Sequence, residues 1–350
     1  MVKAFPIYSK KQVNKAGDIL ISLDNSFSYE EYIWAFDVLT NWRSSHVYPI
    51  NTFQATLRTH LKKIDPKALV AQRIKRTPSI MRKLRKEGHM KLSTMQDIGG
   101  LRAVVQSIEN VNALVNSYKC STRLSHSLIK INDYIENPKK SGYRSVHLIY
   151  RYHNLKVKEY DGLRVEIQIR SKVQHAWATA VETMGVFLEH ALKSSEGPEE
   201  WLNFFSLAGS AFAYYEECPP GGPYAHIPPA ELYKILTAEV SRLRVIERLG
   251  TLRIVAKQID GGEIQGHYHL ITLDTHEQTV MIRSYGRRNL DKANEDYTFL
   301  EKKYNRDENI QIVLVSAGNI ANLQRAYPNY FLDTQEFINI TNEIKLISQQ

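Results

Sequence analysis

The chain has 350 residues, 43% of them hydrophobic and 24% charged, which is long enough for two domains with cores and excludes a disordered or coiled-coil protein. Its 46 Lys and Arg against 37 Asp and Glu leave a formal charge of +9, which favours a polyanionic partner such as a nucleotide, RNA or an acidic surface. Cys120 and Cys218 are the only cysteines and form no CxxC pair, so they build neither a disulfide framework nor a cysteine zinc site. The first 20 residues lack an apolar h-region, and no stretch approaches the roughly 18 apolar residues of a membrane span. We therefore expect a cytoplasmic protein with no membrane contact.

In chain order, Tyr29, Tyr32, Ile33, Phe36, Leu39 and Trp42 recur at helical steps, and a second periodic stretch runs over 53–61, the two divided at Pro49. Over 58–86 lysines and arginines face Asp65 alone, with a helix starting near Pro78. Strands are predicted at 99–106, 126–134, 143–153 and 163–170, with a helix over 108–119 and another over 173–190. An apolar helix over 200–217 leads to a Pro- and Gly-rich breaker run at 218–229 and an amphipathic helix over 230–249. Short strands follow at 252–258, 267–273, 279–285 and 310–315, with a helix inserted over 291–304 and a terminal helix or tail. This pattern predicts an α+β fold, a mixed β-sheet flanked by helices. It divides into a first domain over 1–217, a linker and connecting helix over 218–250, and a small β-rich domain over 251–350 with a C-terminal helix.

Alternation along the strand at 163–170 places Leu163, Val165, Ile167 and Ile169 on one side and Arg164, Glu166, Gln168 and Arg170 on the other. A carboxylate framed by arginines and a glutamine suits a site that handles a nucleoside triphosphate and its metal. Asp97 precedes Gly99, Gly100 and Arg102; the glycines allow close backbone approach to a ligand, and Asp97 with Glu166 could hold a divalent ion that polarises a phosphoryl group. Arg73, Lys75, Arg76, Ser79 and Lys83 gather at the start of a helix, where exposed N–H groups favour anions. Ser141, Gly142 and Tyr143 form a flexible loop ending in an aromatic suited to stacking a base, with His147 on the same side. Each group also has a bland reading: a turn aspartate, a glutamate paired to arginine, a solvated basic helix, and packed tyrosine and histidine.

Taken together, the R-x-K…S…K run at Arg73, Lys75, Ser79 and Lys83, the D-I-G-G-L-R run at 97–102, the S-G-Y-R-S-V-H run at 141–147 and the V-E-I-Q-I-R run at 165–170 resemble the RelA/SpoT-type alarmone synthetase domain. The resemblance covers about 70–184, with flanking helices from about 28 to 217. It implies a nucleotidyltransferase-like synthetase fold and pyrophosphoryl transfer, in which a 3′-hydroxyl attacks the β-phosphorus of ATP and AMP leaves. It further implies that Arg73 and Arg102 sandwich adenine and that Lys75, Ser79 and Lys83 hold the phosphates. Asp97 and Glu166 would bind Mg2+, Glu166 would activate the attacking hydroxyl, and Tyr143 would stack on the acceptor base, with Lys140, Arg144 and His147 beside it.

Small alarmone synthetases modify GDP or GTP, whereas a toxic branch of the family modifies the 3′-CCA end of tRNA. The stretches at 41–46, 49–53 and 174–182 and the extra C-terminal domain are similar to that branch, and the layout is similar to the CapRel-type toxin–antitoxin fusions used against phage. The layout implies a pseudo zinc finger over 251–350, with no zinc bound, that occludes the ATP site through a YxxY motif at Tyr327 and Tyr330. Release would follow capture of a phage protein, the major capsid protein being the expected trigger. Lys139, Lys140 and Arg144 are the candidate tRNA contacts, with Lys10, Lys11 and Lys15 as further ones. A (p)ppGpp synthetase and a catalytically dead nucleotide-binding module are the competing readings. The oligomeric state stays open, a monomer being slightly favoured.

Overall fold

Among the described residues, serines start four of the helices, and three of them, Ser9, Ser28 and Ser171, form reciprocal caps. Each of these three side chains accepts a hydrogen bond from the backbone three residues on, and Gln12, Glu31 or Gln174 reaches back to the cap in return. Their helices are α1 (Lys10–Ile21), α2 (Tyr29–Ser45) and, later in the chain, α6 (Lys172–Phe187). The computed structural model describes every residue except 1–3, 23–25, 122–123, 189–191, 193–195, 252–255, 261–266, 305–306, 308, 317–322, 326, 332 and 350, and only the backbone of 187, 251, 256–260, 329 and 330. Helix α1 lies in the polar N-terminal stretch, where the sequence pattern marks no element. It buries Val13, Ala16, Ile19 and Leu20 against α2 and the helix over 77–86.

Helix α3 (Val47–Ile64) begins directly after His46, so the break falls three residues before Pro49. The proline sits in the first turn, where a missing N–H costs nothing. The basic stretch after it contains β1 (Leu69–Ile74), which the sequence pattern also leaves unmarked, and then α4 (Thr77–Lys86). There follow β2 (Gly99–Val105), α5 (Ile108–Lys119), β3 (Ser127–Asp133), β4 (Val146–Arg151), β5 (Arg164–Ser171), α6 and α7 (Glu199–Tyr215). The helix expected over 230–249 is two, α8 (Pro229–Arg242) and α9 (Val245–Thr251), because Arg244 between them adopts φ 49. The C-terminal elements are β6 (Ala256–Asp260), β7 (Tyr268–Asp274), β8 (Thr279–Tyr285), α10 (Leu290–Lys303), β9 (Ile310–Ser316) and α11 (Gln335–Ile347).

The strands form one nine-stranded mixed sheet in the order β3-β4-β5-β2-β1-β9-β7-β8-β6. Strands β2 and β5 run parallel, as do β6 and β8, and the remaining neighbours are antiparallel. The architecture is thus α+β with a mixed sheet, as expected. The C-terminal strands continue the sheet of the first half through the pairing of Arg73 with Val315.

Among the described residues two large cores cover the two faces, and a third cluster, with Leu270, Tyr285, Leu290 and Tyr297, joins the helix after β8 to the C-terminal strands. On one face, Leu39, Phe53 and Leu57 from α2 and α3 pack with Leu101, Val165 and Ile167. On the other, Ala71 joins Trp177, Phe204 and Phe212 of α6 and α7, Ile271 and Val313 of the C-terminal strands, and Tyr327 and Phe337. Phe212 and Phe337 bring their ring centroids to 5.1 Å and hold α11 on α7, each buried aromatic contributing about 1.5–3 kcal/mol. Because Ala71 lies opposite Arg102, which lies beside Gln168, the polar side of β5 faces this second core. That side is therefore covered, with α6 packed on β5, instead of being open to solvent.

Candidate active site

The pairing of β4 with β5 sets His147 opposite Gln168, and that of β2 with β5 sets Gly100 beside Glu166 and Arg102 beside Gln168. From these positions the side chains reach one another. His147 Nδ1 lies 2.9 Å from Glu166 Oε1, and Gln168 Nε2 donates to Glu166 Oε2 at 2.8 Å. The Tyr143 hydroxyl lies 2.7 Å from His147 Nε2, while Arg170 Nη2 donates to that hydroxyl at 2.9 Å and to Gln168 Oε1 at 3.3 Å. The contacts close into a ring running from Arg170 through Tyr143, His147, Glu166 and Gln168 back to Arg170. Burial works against the Glu166 charge, but His147 beside it wins and holds the carboxyl below its ordinary range. Burial likewise pulls the imidazole down, and Tyr143 and Glu166 more than restore it, leaving His147 raised.

A second charge cluster adjoins this ring. Lys75, just past the end of β1, places its Nζ 2.8 Å from Asp97 Oδ2, and Lys83 on α4 places its own 3.1 Å from Oδ1. The Lys75 N–H donates to the Ile98 carbonyl at 2.8 Å, which ties the end of β1 to the entrance of β2. Asp97 is half-buried, yet the two ammonium groups hold it far below the carboxylate range. Burial lowers Lys75, whereas Asp97 outweighs burial at Lys83 and raises it. Glu166 feels the Asp97 charge, and Lys83 feels that of Glu166, so the two carboxylates and the lysines share one electrostatic neighbourhood. Ser79 is half-buried in the first turn of α4.

Arg102 is buried, and burial together with Arg170 and Arg73 pulls its pKa down to about 10, partly offset by Glu182 and Tyr327. Tyr327 is 2% exposed and donates its hydroxyl to the Gln72 carbonyl at 2.6 Å, directly before Arg73. The side chain of Tyr330, the other tyrosine of the YxxY motif, lies outside the described residues.

Two expected acceptor contacts, Arg144 and His147, are engaged with partners inside the protein. Arg144 is 3% exposed and pairs with Glu216 at 2.8 Å, and Glu216 also accepts from Ser171. Arg144 lies in the segment before β4, and a buried guanidinium needs a buried carboxylate. His147 is enclosed between Tyr143 and Glu166 and offers no open edge to an acceptor. Tyr143 is 8% exposed, with the Arg170 guanidinium 5.2 Å from its ring centroid and Lys139 Nζ at 5.3 Å. Lys139 and Lys140 are exposed at this mouth, beside a pocket of ≈ 710 Å³ lined by Lys140, Ser141, Tyr143, Trp177, Asn203 and Phe205. Lys10, Lys11 and Lys15 are exposed on α1, which packs in the layer on the other face of the sheet.

Sequence reasoning assigned no role to Gln168 or Arg170 beyond their side of the strand, although alternation had placed both with Glu166. It gave Arg43 no role beyond its place in the 41–46 stretch and missed Glu301 altogether. Arg43 Nη1 meets Glu301 Oε2 at 2.6 Å, Arg43 Nε donates to the Lys75 carbonyl at 3.0 Å, and the Thr77 N–H at the start of α4 donates to Glu301 at 3.3 Å. No local signal links residues 258 positions apart.

Residues 72–186 match the family model described as the region found in RelA/SpoT proteins. This segment is of the RelA/SpoT type. It contains every member of the Glu166 ring and of the Asp97 cluster. The chain is 34% identical over 131 residues to the GTP pyrophosphokinase YjbM of Bacillus subtilis, an alignment covering 37% of this chain and 57% of that protein. It is 33% identical over 113 residues to the GTP pyrophosphokinase YwaC of the same organism, covering 31% and 52%. The chain thus spans about half the length of these curated relatives. The solved structure of small alarmone synthetase 1 from Bacillus subtilis, bound to its product pppGpp, aligns at 25% identity and a TM-score of 0.43, covering 51% of this chain and 94% of that one. Among the described residues no helix is long and apolar enough to cross a membrane, and no group of three or more His, Cys, Asp and Glu gathers as a metal cluster.

Proposed function

We propose that this protein is an ATP-dependent pyrophosphokinase that moves the β,γ-pyrophosphoryl group of ATP onto a 3′-hydroxyl. The observation that carries this reading is the meeting of Asp97, Lys75 and Lys83 beside an ionised, buried Glu166 within the RelA/SpoT-type segment. Lys75, Lys83 and Ser79 bind the phosphates, and Arg73 and Arg102 bind adenine. Glu166 takes the proton of the attacking hydroxyl, a role that typically contributes 10²–10⁴-fold.

Magnesium fits the donor set, because it keeps several waters and needs only one or two carboxylates beside phosphate oxygens. Asp97 now spends both oxygens on Lys75 and Lys83, and phosphates arriving at those lysines free the carboxylate for the ion. When bound, the ion supplies neutralisation of the charge that develops on the transferred group.

For the acceptor we propose the 3′-CCA end of tRNA, in a cytoplasmic toxin whose C-terminal residues restrain it until a phage protein binds. Support comes from the +9 charge, the exposed Lys139 and Lys140 at the Tyr143 mouth, and the burial of Tyr327 between Gln72 and Arg102. Stacking of the terminal base on Tyr143 requires the exposed Lys139 to swing off the ring. The second reading, synthesis of (p)ppGpp from GDP or GTP, is favoured by the named activity of the curated relatives.

Incubation with ATP labelled on its γ-phosphate and either deacylated tRNA or GDP tests both. Label should appear on tRNA with release of AMP, faster for Tyr327→Ala than for the native chain, and Glu166→Gln should abolish it. Label on GDP alone selects the second reading. Label on neither acceptor, with the native chain and with Tyr327→Ala, refutes pyrophosphoryl transfer.

A further inference from the structure

We infer that Arg170 is a positioning residue that sets the direction of every hydrogen bond reaching Glu166; the catalytic consequence rests on the base role of Glu166 proposed above. Arg170 is 1% exposed and lies four residues beyond Glu166 on the same side of β5. Burying a guanidinium is costly, so a residue of this kind at the centre of a protein needs a reason.

The reason is in the chemistry of the ring. A guanidinium carries only donors, so the oxygens of Tyr143 and Gln168 that meet Arg170 Nη2 must both accept. With its oxygen accepting, the Tyr143 hydroxyl hydrogen is turned toward His147 Nε2 at 2.7 Å. In the neutral imidazole that nitrogen then accepts, which assigns the one ring proton to Nδ1, the atom 2.9 Å from Glu166 Oε1. On the other arm, an amide whose oxygen faces Arg170 must present its nitrogen to Glu166 Oε2, as observed at 2.8 Å. One donor-only residue therefore fixes three choices that are otherwise free: a hydroxyl rotor, a histidine tautomer and an amide flip. Both arms end by donating to the carboxylate, so Glu166 is held in one orientation and ionised. Tyr143 is held at the same time, through its hydroxyl and through the guanidinium against its ring at 5.2 Å.

The test reads the tautomer directly. In full-length protein labelled with 15N-histidine, long-range 1H–15N spectra report His147, assigned by the signal lost in His147→Gln. At a pH high enough for the His147 imidazole to be neutral, the native chain should show the Nδ1–H form, and Arg170→Met and Tyr143→Phe, which cut the same link from opposite sides, should each convert His147 to the Nε2–H form or a mixture. Either variant suffices if the other fails to give a native thermal melt. In the transfer assay both variants should lower kcat at least about tenfold with KM for ATP within about twofold, and the double variant should be no worse than the poorer single one, because both remove one pathway. An unchanged His147 tautomer in a folded variant, or losses that multiply in the double variant, would overturn the assignment. A tautomer shift in a protein that transfers nothing to any acceptor would uphold the orienting role and refute only the proposed activity, which keeps the two failures apart.

Discussion

Replacing Glu301 by leucine should destabilise the protein more than any single surface change, because it strands a buried charge. Arg43 and Glu301 expose 6% and 9% of their side chains. The carboxylate accepts from Arg43 Nη1 at 2.6 Å and Nη2 at 3.2 Å, from Tyr297 at 2.7 Å, and from the Thr77 N–H and hydroxyl, both at 3.3 Å. Removing one partner of a buried pair costs about 3–5 kcal/mol. After the change Arg43 keeps hydrogen bonds to the Lys75 carbonyl at 3.0 Å, Thr77 Oγ1 at 2.8 Å and Tyr297 at 2.6 Å, so its donors are not all orphaned. The loss should therefore fall near the lower end, about 3 kcal/mol. Arg43→Met combined with Glu301→Leu should recover most of it, since the charge and its counter-charge leave together. Urea unfolding at neutral pH, read as a midpoint shift at constant m, measures both. A Glu301→Leu cost below about 1 kcal/mol, or a double variant no more stable than the single, would refute the reasoning. The pH dependence carries a sign as well. Burial opposes the Glu301 charge and Arg43 overcomes it, so the folded pKa is depressed. The pair's stabilisation is present above the ordinary glutamate pKa of about 4.3 and is lost as pH falls through the lower folded value.

Asp97→Asn should flatten the acid limb of the stability curve, because a carboxylate held so low by Lys75 and Lys83 contributes above the unfolded pKa of about 3.9 and loses that contribution only as pH falls through its folded value; an unaltered acid limb in urea titrations at stepped pH would contradict this. Gly142→Ala should cost about 1–3 kcal/mol in the same unfolding experiment, since Gly142 holds φ 86 and an added Cβ would stand 2.8 Å from the Phe205 carbonyl. Tyr327→Phe removes one hydrogen bond, to Gln72 O, and should cost about 1 kcal/mol. If Tyr327 covers the adenine site, the same variant should also bind ATP more tightly in calorimetric titration, and equal or weaker affinity would argue against occlusion.

Much of the site was legible from the chain alone. The two-residue period of a strand is a local property, so alternation put Glu166, Gln168 and Arg170 together on one side, and the structure joins all three in one ring. Motif spacing likewise selected Lys75, Lys83 and Asp97, which meet as an ion cluster. Helix α5 and strand β8 begin and end where their patterns do. Other elements gave weaker signals. Strand β1 carries Gln72 and Arg73 and its burial is mixed, so no apolar alternation marks it. The break at Arg244 comes from one backbone angle that no side-chain pattern announces.

What the sequence determines by itself is set by near neighbours: which residues share a strand face, which serines cap helices, and which motif residues stand at one strand mouth. Only the tertiary structure decides what lies across from them. It covers the polar side of β5 with α6, seats Tyr327 on Gln72, pairs Arg144 with Glu216, turns Tyr143 toward His147, and brings Glu301 to Arg43 across 258 residues. Periodicity follows from backbone geometry within a few residues, whereas the choice of a distant partner follows from sheet order and from the cost of leaving a buried charge alone.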